Sequence, residues 1–136
     1  IDPNQEPVYT RSRPIRKEEY ERTMDTINGW NEKGWIKKLD KPNKWCSSVI
    51  NVPKKSGGKV EGNKLRTCID GRPVNKVCKG AEYNLPTAEQ MFKKVQGYQI
   101  FSEFDISSAF MQIPMSKEAG LAYGFVAPNG DHYSIF

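Results

Sequence analysis

The chemically most suggestive part of the sequence is the stretch from Phe101 to Pro114, which reads FSEFDISSAFMQIP. It places Asp105 at the end of a short apolar run, and this run predicts a β-strand over Ile100–Asp105. A turn of small residues follows, and Phe110 stands five residues beyond the carboxylate. A carboxylate at a strand end beside a tight turn can project into a cleft and bind a hard cation such as Mg²⁺. The alternative is that Asp105 only caps the turn that follows it.

Cationic side chains form the second feature that could do chemistry. Between Lys33 and Arg66 the chain carries ten lysines and arginines, opposed only by Asp40 and Glu61, and the formal net charge of the whole chain is +5. Clustered charge of one sign suggests a polyanionic partner such as nucleic acid or a triphosphate. The alternative is a solvated, lysine-rich surface with no ligand.

The elements that must position these residues begin with a helix. Apolar residues at spacings of four, three and three predict an amphipathic helix over Lys17–Lys33, with Gly34 as its C-cap. The residues expected on its buried face are Tyr20, Met24, Ile27 and Trp30.

A basic hairpin is predicted next. Strands over Ser48–Pro53 and Leu65–Asp70 flank a link rich in glycine and lysine, which is typical of a β-hairpin with a cationic tip. The residues after it, Gly71–Tyr83, are expected to be irregular.

The remaining elements are a helix and two strands around the Asp105 segment. Thr87 and Gln90 have capping-box spacing, so a helix is expected to start there and to stop at Gly97. Phe104 should point into the core, since side chains alternate along a strand. A short helix over Ser107–Gln112 and strands over Leu121–Val126 and His132–Phe136, joined by an Asn-Gly turn, complete the prediction.

Composition excludes several classes of protein. Hydrophobic residues make up 37% of the chain, and no apolar run approaches the roughly 20 residues of a membrane helix. Three cysteines without a C-x-x-C pair, and a single histidine, argue against a zinc site. Cysteines in apolar contexts behave as small hydrophobic residues, and this usage fits a reducing compartment.

The stretch around Asp105 resembles the first catalytic motif of reverse transcriptases from gypsy-type LTR retrotransposons and their viral relatives. The resemblance extends upstream through Trp45–Ser48, Val52–Lys55 and Arg66–Asn75 in the family's order. It implies an α/β (α+β) fold with an antiparallel sheet and packing helices. The implied division is an extended arm over residues 1–16, a fingers-like region over 17–83, and the first part of the palm over 84–136.

The resemblance also implies roles for individual residues. Asp105 would be the first ligand of a catalytic Mg²⁺ (or Mn²⁺), joined by the carbonyl of Ile106. The incoming dNTP would be held by Lys54, Arg66, Phe110 and Gln112, with Phe110 as the aromatic that excludes a 2′-hydroxyl. The template would be contacted by Lys55, Asp70, Arg72 and Asn75. Open alternatives are a core position for Phe110 and a plain exposed turn for the lysine pair. Gly71 stands where the family usually has an aromatic residue, which weakens the expected packing against the template.

The partners implied are an RNA or DNA template–primer, a dNTP and the remainder of the polymerase. The family's second motif, a [YF]-x-D-D hairpin, is absent from the sequence. We therefore expect a chain truncated before that motif, inactive by itself, and with an open sheet edge that invites a homodimer. The resemblance implies an intracellular location, in the cytoplasm, virus-like particles or nucleus. The alternative function is a domesticated, non-catalytic module that binds nucleic acid or protein.

Overall fold

The computed structural model describes residues 4–80 and 83–135, without the side chains of residues 55–56 and 59–63. The helices are α1 (Lys17–Glu32), α2 (Arg72–Val77), α3 (Ala88–Val95), a 3₁₀-helix (Ala109–Gln112) and α4 (Lys117–Ala122). The strands are β1 (Ile36–Lys38), β2 (Ser47–Ser56), β3 (Lys59–Ile69), β4 (Phe125–Val126) and β5 (His132–Ile135). They form one sheet in the order β1–β5–β4–β2–β3.

The predicted fold class, helices packed with a mainly antiparallel sheet, is confirmed. Three of the strand pairs are antiparallel, and the β2–β4 pair is parallel. The sheet joins β1 and β2 to β4 and β5, so it spans the predicted boundary at residue 83. The division into fingers and palm stays a prediction.

The core lies where α1 packs on the sheet. Ile27 of α1 is fully buried together with Phe125 of β4, whose ring stacks on Tyr133 at a centroid distance of 5.4 Å. Burial of such large side chains is the main source of stability in a domain of this size. The predicted apolar face of α1 is confirmed for Met24, Ile27 and Trp30, whereas Tyr20 lies at its edge.

Local signals placed the ends of several elements correctly. Gly34 follows α1 with a φ of 72°, and the Thr87–Gln90 capping box begins α3. The β2–β3 hairpin turns at Gly57 and Gly58, both with positive φ, which glycine adopts without steric cost. The predicted turn between β4 and β5 is also present, and it contains Gly130 with a φ of 88°.

Two helices occupy residues for which the sequence predicted something else. The segment 71–83 was expected to be irregular, but α2 forms within it with a proline in its first turn. The strand predicted over Leu121–Val126 is wrong for its first four residues, because Leu121 and Ala122 belong to α4 and residues 123–124 are in no strand. The side chain of Ser116 caps α4, and Gly120 and Ala122 are buried against the sheet. A short apolar run does not by itself distinguish a strand from a buried helix.

The strand predicted over Ile100–Asp105 is wrong. These residues form no strand in the described structure, and Phe104, expected in the core, is 89% exposed. An apolar strand needs a partner for its backbone and a surface to bury one face. Neither is present among the described residues, and the preceding helix, α3, has no buried residue.

The expected open sheet edge is also placed differently. Both β4 and β5, which belong to the predicted palm, have a strand on each side, so the edges of the sheet are β1 and β3.

In the described part of the chain, each helix is too short or too polar to cross a membrane.

Candidate functional site

The β2–β3 hairpin has one face fixed to α1 and one face open to solvent. Asn51 and Thr67 pair across the strands, and Asn51 Nδ2 donates to Glu19 Oε2 at 2.9 Å and to Thr23 Oγ1 at 3.0 Å. The hydroxyl of Thr67 donates to Asn51 Oδ1 at 3.0 Å. Because side chains alternate, the neighbouring pair, Val52 and Arg66, faces away from α1, and both residues are exposed. The polar contacts therefore fix the hairpin with Arg66 pointing into solvent.

Lys54 lies on β2, at the point where the register of the hairpin shifts between Pro53 and Lys55. It is exposed, as is Arg66. Lys54 is two positions beyond Val52, so alternation along the strand places its side chain on the same solvent-facing side, up to the register shift. The side chain of Lys55 lies outside the described part of the structure.

The buried carboxylate of Asp70, directly after β3, binds two arginines. Asp70 is 5% exposed and accepts from Arg72 Nε and from the Arg72 terminal nitrogen, each at 2.7 Å. Arg13 of the N-terminal arm approaches the same carboxylate at 3.4 Å. Both guanidinium groups remain more than half exposed. The Asp70 carboxylate is thus buried and holds two arginines that face outward, and its contact with a template stays a prediction.

These contacts make the fold sensitive to acid. The hydrogen bonds from Arg72, opposed by burial, lower the pKa of Asp70 to about 2, against roughly 3.9 in an unfolded chain. Asp70→Asn should reduce the free energy of unfolding by about 2 kcal/mol at pH 7, since hydrogen bonds between charged groups contribute on that order. A group with a depressed pKa stabilises the fold above its unfolded pKa. The difference between wild type and variant should therefore disappear as pH falls from about 4 to about 2.

Urea unfolding of both proteins across that pH range checks this expectation. A difference that stays constant down to about pH 2 would contradict the assignment of the ion pairs to Asp70. Asp131→Asn is a useful comparison, because Asp131 makes one ion pair, with Lys38, and is more exposed than Asp70. Its substitution should have the smaller effect.

Asn75, a predicted template contact, lies on α2 one turn beyond Arg72 and is exposed. Its Oδ1 atom accepts a hydrogen bond of 2.6 Å from the hydroxyl of Tyr123. The ring of Tyr123 covers Gly71, where a Cβ atom would stand 3.4 Å from Tyr123 Cε1. Gly71 was expected to weaken packing against the template, and this stays a prediction. Within the chain, the ring of Tyr123 at the end of α4 lies against Gly71.

The segment around Asp105 is open on all sides. Asp105 is exposed, Ile106 is 63% exposed and Phe110 is 93% exposed. This exposure excludes the alternative of a core position for Phe110 in this structure. Gln112 Nε2 donates to the carbonyl of Ser107 at 2.6 Å, which closes the turn before the 3₁₀-helix.

The described residues do not by themselves fit a pair of divalent metal ions. They contain no group of three or more histidine, cysteine or acidic side chains close enough to hold a metal. Asp105 and the Ile106 carbonyl would give two oxygens, whereas Mg²⁺ prefers six ligands in near-octahedral geometry. Further ligands would have to come from outside the described residues.

The sequence did not indicate that Arg13 contacts Asp70 or that Tyr123 contacts Asn75. Arg13 lies in a proline-broken arm whose Tyr9 forms a bridge with Cys46, the residue before β2, and no local pattern marks Arg13. Tyr123 was assigned to a strand. Its role depends on α4, and the one local signal for α4 is the capping serine at position 116.

The fold, with a basic hairpin fixed to a helix and a sheet that continues into β4 and β5, is similar to that of a solved structure. The crystal structure of the prototype foamy virus protease–reverse transcriptase superimposes with a TM-score of 0.70 at 17% identity. The match covers 97% of this chain and 17% of the viral chain. At this identity the likeness establishes the fold.

The family is established by sequence. Residues 52–133 match the family described as reverse transcriptase (RNA-dependent DNA polymerase), and the chain belongs to that family. It is 32% identical to the transposon Tf2-3 polyprotein of Schizosaccharomyces pombe over 120 residues, which cover 88% of this chain and 8% of the polyprotein. An uncharacterized protein of Caenorhabditis elegans is 29% identical over 118 residues, covering 85% of this chain and 9% of that protein. The chain thus spans less than a tenth of these curated relatives. The predicted membership of a retroelement reverse transcriptase family is confirmed.

Proposed function

We propose that this chain is the fingers and first palm segment of an RNA-directed DNA polymerase, and that it binds a template–primer and a dNTP. The observation that carries the proposal is the β2–β3 hairpin. Its inner face is fixed to α1 through Asn51, while Arg66 and Lys54 are exposed on the outer face. This hairpin lies largely within the part of the chain that matches the family.

The proposed roles follow the chemistry of each exposed side chain. Arg66 offers a planar fork that suits the oxygens of a triphosphate, and Lys54 offers a point charge for the γ-phosphate. Phe110 would lie under the sugar and exclude a 2′-hydroxyl, with Gln112 beside it. Arg72, Asn75 and Lys55 would contact the template backbone, and such contacts position a nucleic acid without reading its sequence.

We propose that metal ions bind only in the complete enzyme. Asp105 and the carbonyl of Ile106 would be ligands of Mg²⁺ or Mn²⁺, and two such metals support nucleotidyl transfer by polarising phosphoryl oxygens. Because the described residues supply too few ligands, we expect the isolated chain to be inactive in primer extension.

The isolated chain should nevertheless bind a primer–template through its cations. Affinity should fall steeply as salt increases, since each phosphate contact releases counterions. Arg66→Ala should reduce the slope of log affinity against log salt by about 1. Fluorescence anisotropy of a labelled primer–template, titrated at several salt concentrations, measures that slope.

Lys117→Ala is the matched control, because it removes an exposed cation from α4. Its slope should equal that of the wild type. Equal slopes for wild type and Arg66→Ala would contradict the role proposed for the hairpin.

A protein-interaction role is the second candidate, and exposed aromatic residues favour it. Six rings between residues 83 and 110 are 63–93% exposed, namely Tyr83, Phe92, Tyr98, Phe101, Phe104 and Phe110. Each can bury on the order of 150 Å². Together they approach the roughly 800 Å² per partner that a specific interface uses. In a longer polymerase other polypeptide would cover this segment, and in the isolated chain a second copy would.

Self-association through this segment should respond to salt in the opposite sense to nucleic-acid binding. Copies that carry a net charge of +5 repel one another, so screening should strengthen the dimer. Phe92→Ser combined with Phe104→Ser should shift the chain toward monomer in sedimentation equilibrium. Tyr9→Ser, which alters an exposed ring in the N-terminal arm, should not. A wild-type chain that stays monomeric at high concentration would contradict the proposal.

We also propose a location in the cytoplasm or in virus-like particles, with the nucleus as a further site. The support is the state of the cysteines, since Cys46, Cys68 and Cys78 are all free. Free cysteines are usual where glutathione and thioredoxin keep thiols reduced.

A further inference from the structure

The contact between α4 and α2 determines which atoms of Asn75 are available to a ligand. The Tyr123 hydroxyl and Asn75 Oδ1 are 2.6 Å apart. That separation is usual for O–H···O and short for N–H···O, so the hydroxyl donates and the amide oxygen accepts. Cys78 Sγ lies 3.8 Å from the same hydroxyl, close enough for the thiol to donate to the hydroxyl oxygen.

The free end of the Asn75 side chain is therefore its NH₂ group. An asparagine can offer a ligand either an acceptor or two donors, and a rotation of the amide exchanges them. With Oδ1 engaged by Tyr123, the exposed side of the amide presents hydrogen-bond donors. A ligand that pairs with these donors must offer a hydrogen-bond acceptor, and phosphate oxygen is the strongest acceptor that a nucleic acid offers.

The ring of Tyr123 is held in place independently of its hydroxyl. It packs over Gly71, and Tyr123 ends α4 with its backbone N–H bonded to the carbonyl of Ala119 at 3.0 Å. Arg72, on the same helix as Asn75, is held by Asp70. Two side chains of α2 are thus each fixed by a residue outside the helix, and both present donors to solvent.

We propose that Tyr123 is a positioning residue, which turns the amide of Asn75 so that its NH₂ group donates to a phosphate oxygen of bound nucleic acid. This inference rests on the proposed function. The phosphate could belong to the template–primer backbone or to a dNTP, and the backbone is the source we favour because Arg72 stands one turn away on the same helix.

A double-mutant cycle tests the proposal. Tyr123→Phe keeps the ring over Gly71 and removes only the hydroxyl, and Asn75→Ala removes the donor itself. Asn75→Ala should weaken primer–template binding about tenfold or more, as expected for one hydrogen bond to a charged phosphate oxygen, and Tyr123→Phe should weaken it by no more than that. The double variant should bind no more weakly than Asn75→Ala, because the hydroxyl acts through Asn75. The salt slope should not change, since no charge is lost.

Two further measurements separate positioning from a structural effect and identify the source of the phosphate. Thermal unfolding of Tyr123→Phe should match that of the wild type within a few degrees, and Tyr20→Phe, on α1, should leave binding unchanged. Inorganic tripolyphosphate tests the other source. Competition by tripolyphosphate that is weakened by Asn75→Ala would assign the contact to a triphosphate and overturn the preference for the backbone.

The outcomes distinguish this inference from the function on which it rests. Salt-sensitive binding that is lowered by Arg66→Ala but indifferent to Tyr123→Phe would overturn the inference alone. Losses from Tyr123→Phe and Asn75→Ala that simply multiply in the double variant would also overturn it. A wild-type chain that does not bind primer–template would overturn both.

Discussion

Gly120→Ala is expected to destabilise the protein by about 3 kcal/mol, at the upper end of the cost of overpacking. A Cβ atom at this position would overlap the carbonyl oxygen of Ile135 and approach its carbonyl carbon to 3.2 Å. The obstacle is backbone of β5, a strand paired on both sides, so it cannot move aside as a flexible side chain would. Either α4 must shift or the sheet must distort. Chemical denaturation measures the loss as a lower midpoint with an unchanged slope.

Gly29→Ala is the matched control for this prediction. Gly29 lies within α1, and an added Cβ would meet nothing within 4 Å. Alanine there should stabilise the protein by about 0.5–1 kcal/mol, since glycine costs that much in a helix interior. The same substitution in two helices should therefore have opposite signs. A destabilising Gly29→Ala or a neutral Gly120→Ala would contradict the packing described for α4.

Asp105→Asn should reduce primer extension by about 10³-fold or more in a longer polypeptide that contains this segment and extends a primer. The expectation rests on the proposed role of Asp105 as a metal ligand, because a metal ion contributes several kcal/mol of charge stabilisation to phosphoryl transfer. The substitution keeps the shape of the side chain and removes its charge. Single-nucleotide incorporation, measured in Mg²⁺ and in Mn²⁺, gives the size of the loss.

Glu103→Gln is the appropriate control, since it removes another exposed carboxylate two residues away. It should leave primer extension nearly unchanged. Extension by Asp105→Asn at the wild-type rate would contradict the role of Asp105. An equal loss from both variants would indicate that the segment responds to charge in general. In the isolated chain neither substitution should weaken nucleic-acid binding, because we propose that this binding depends on the cations of the hairpin and α2.

Local sequence was sufficient wherever an element is specified by its own residues. The apolar spacing of α1, the glycine that follows it and the capping box of α3 depend on neighbours one turn away, and all three were predicted. The hairpins were predicted for the same reason, since Gly57, Gly58 and Gly130 adopt the positive φ that a tight turn requires. The family resemblance likewise came from short motifs around Arg66 and Asp105.

Local sequence failed where burial depends on distant partners. The apolar run Ile100–Asp105 has the pattern of a strand, yet it has no strand partner in the described structure, and Phe104 is exposed. The run Leu121–Val126 divides between the end of α4 and β4, because Gly120 fits closely against Ile135 of β5. Neither outcome can be derived from spacing, since both depend on which surface is available for packing.

The sequence alone determined the fold class, the basic hairpin and the family to which the chain belongs, because each is encoded in residue types at fixed local spacing. The tertiary structure decided which predicted site residues are free to meet a ligand. It buried Asp70 beneath two arginines, exposed Phe110, and brought Tyr123 to Asn75 across 48 residues of chain. Such contacts join residues far apart in sequence, so they are set by the packing of whole elements and leave no pattern in the local sequence.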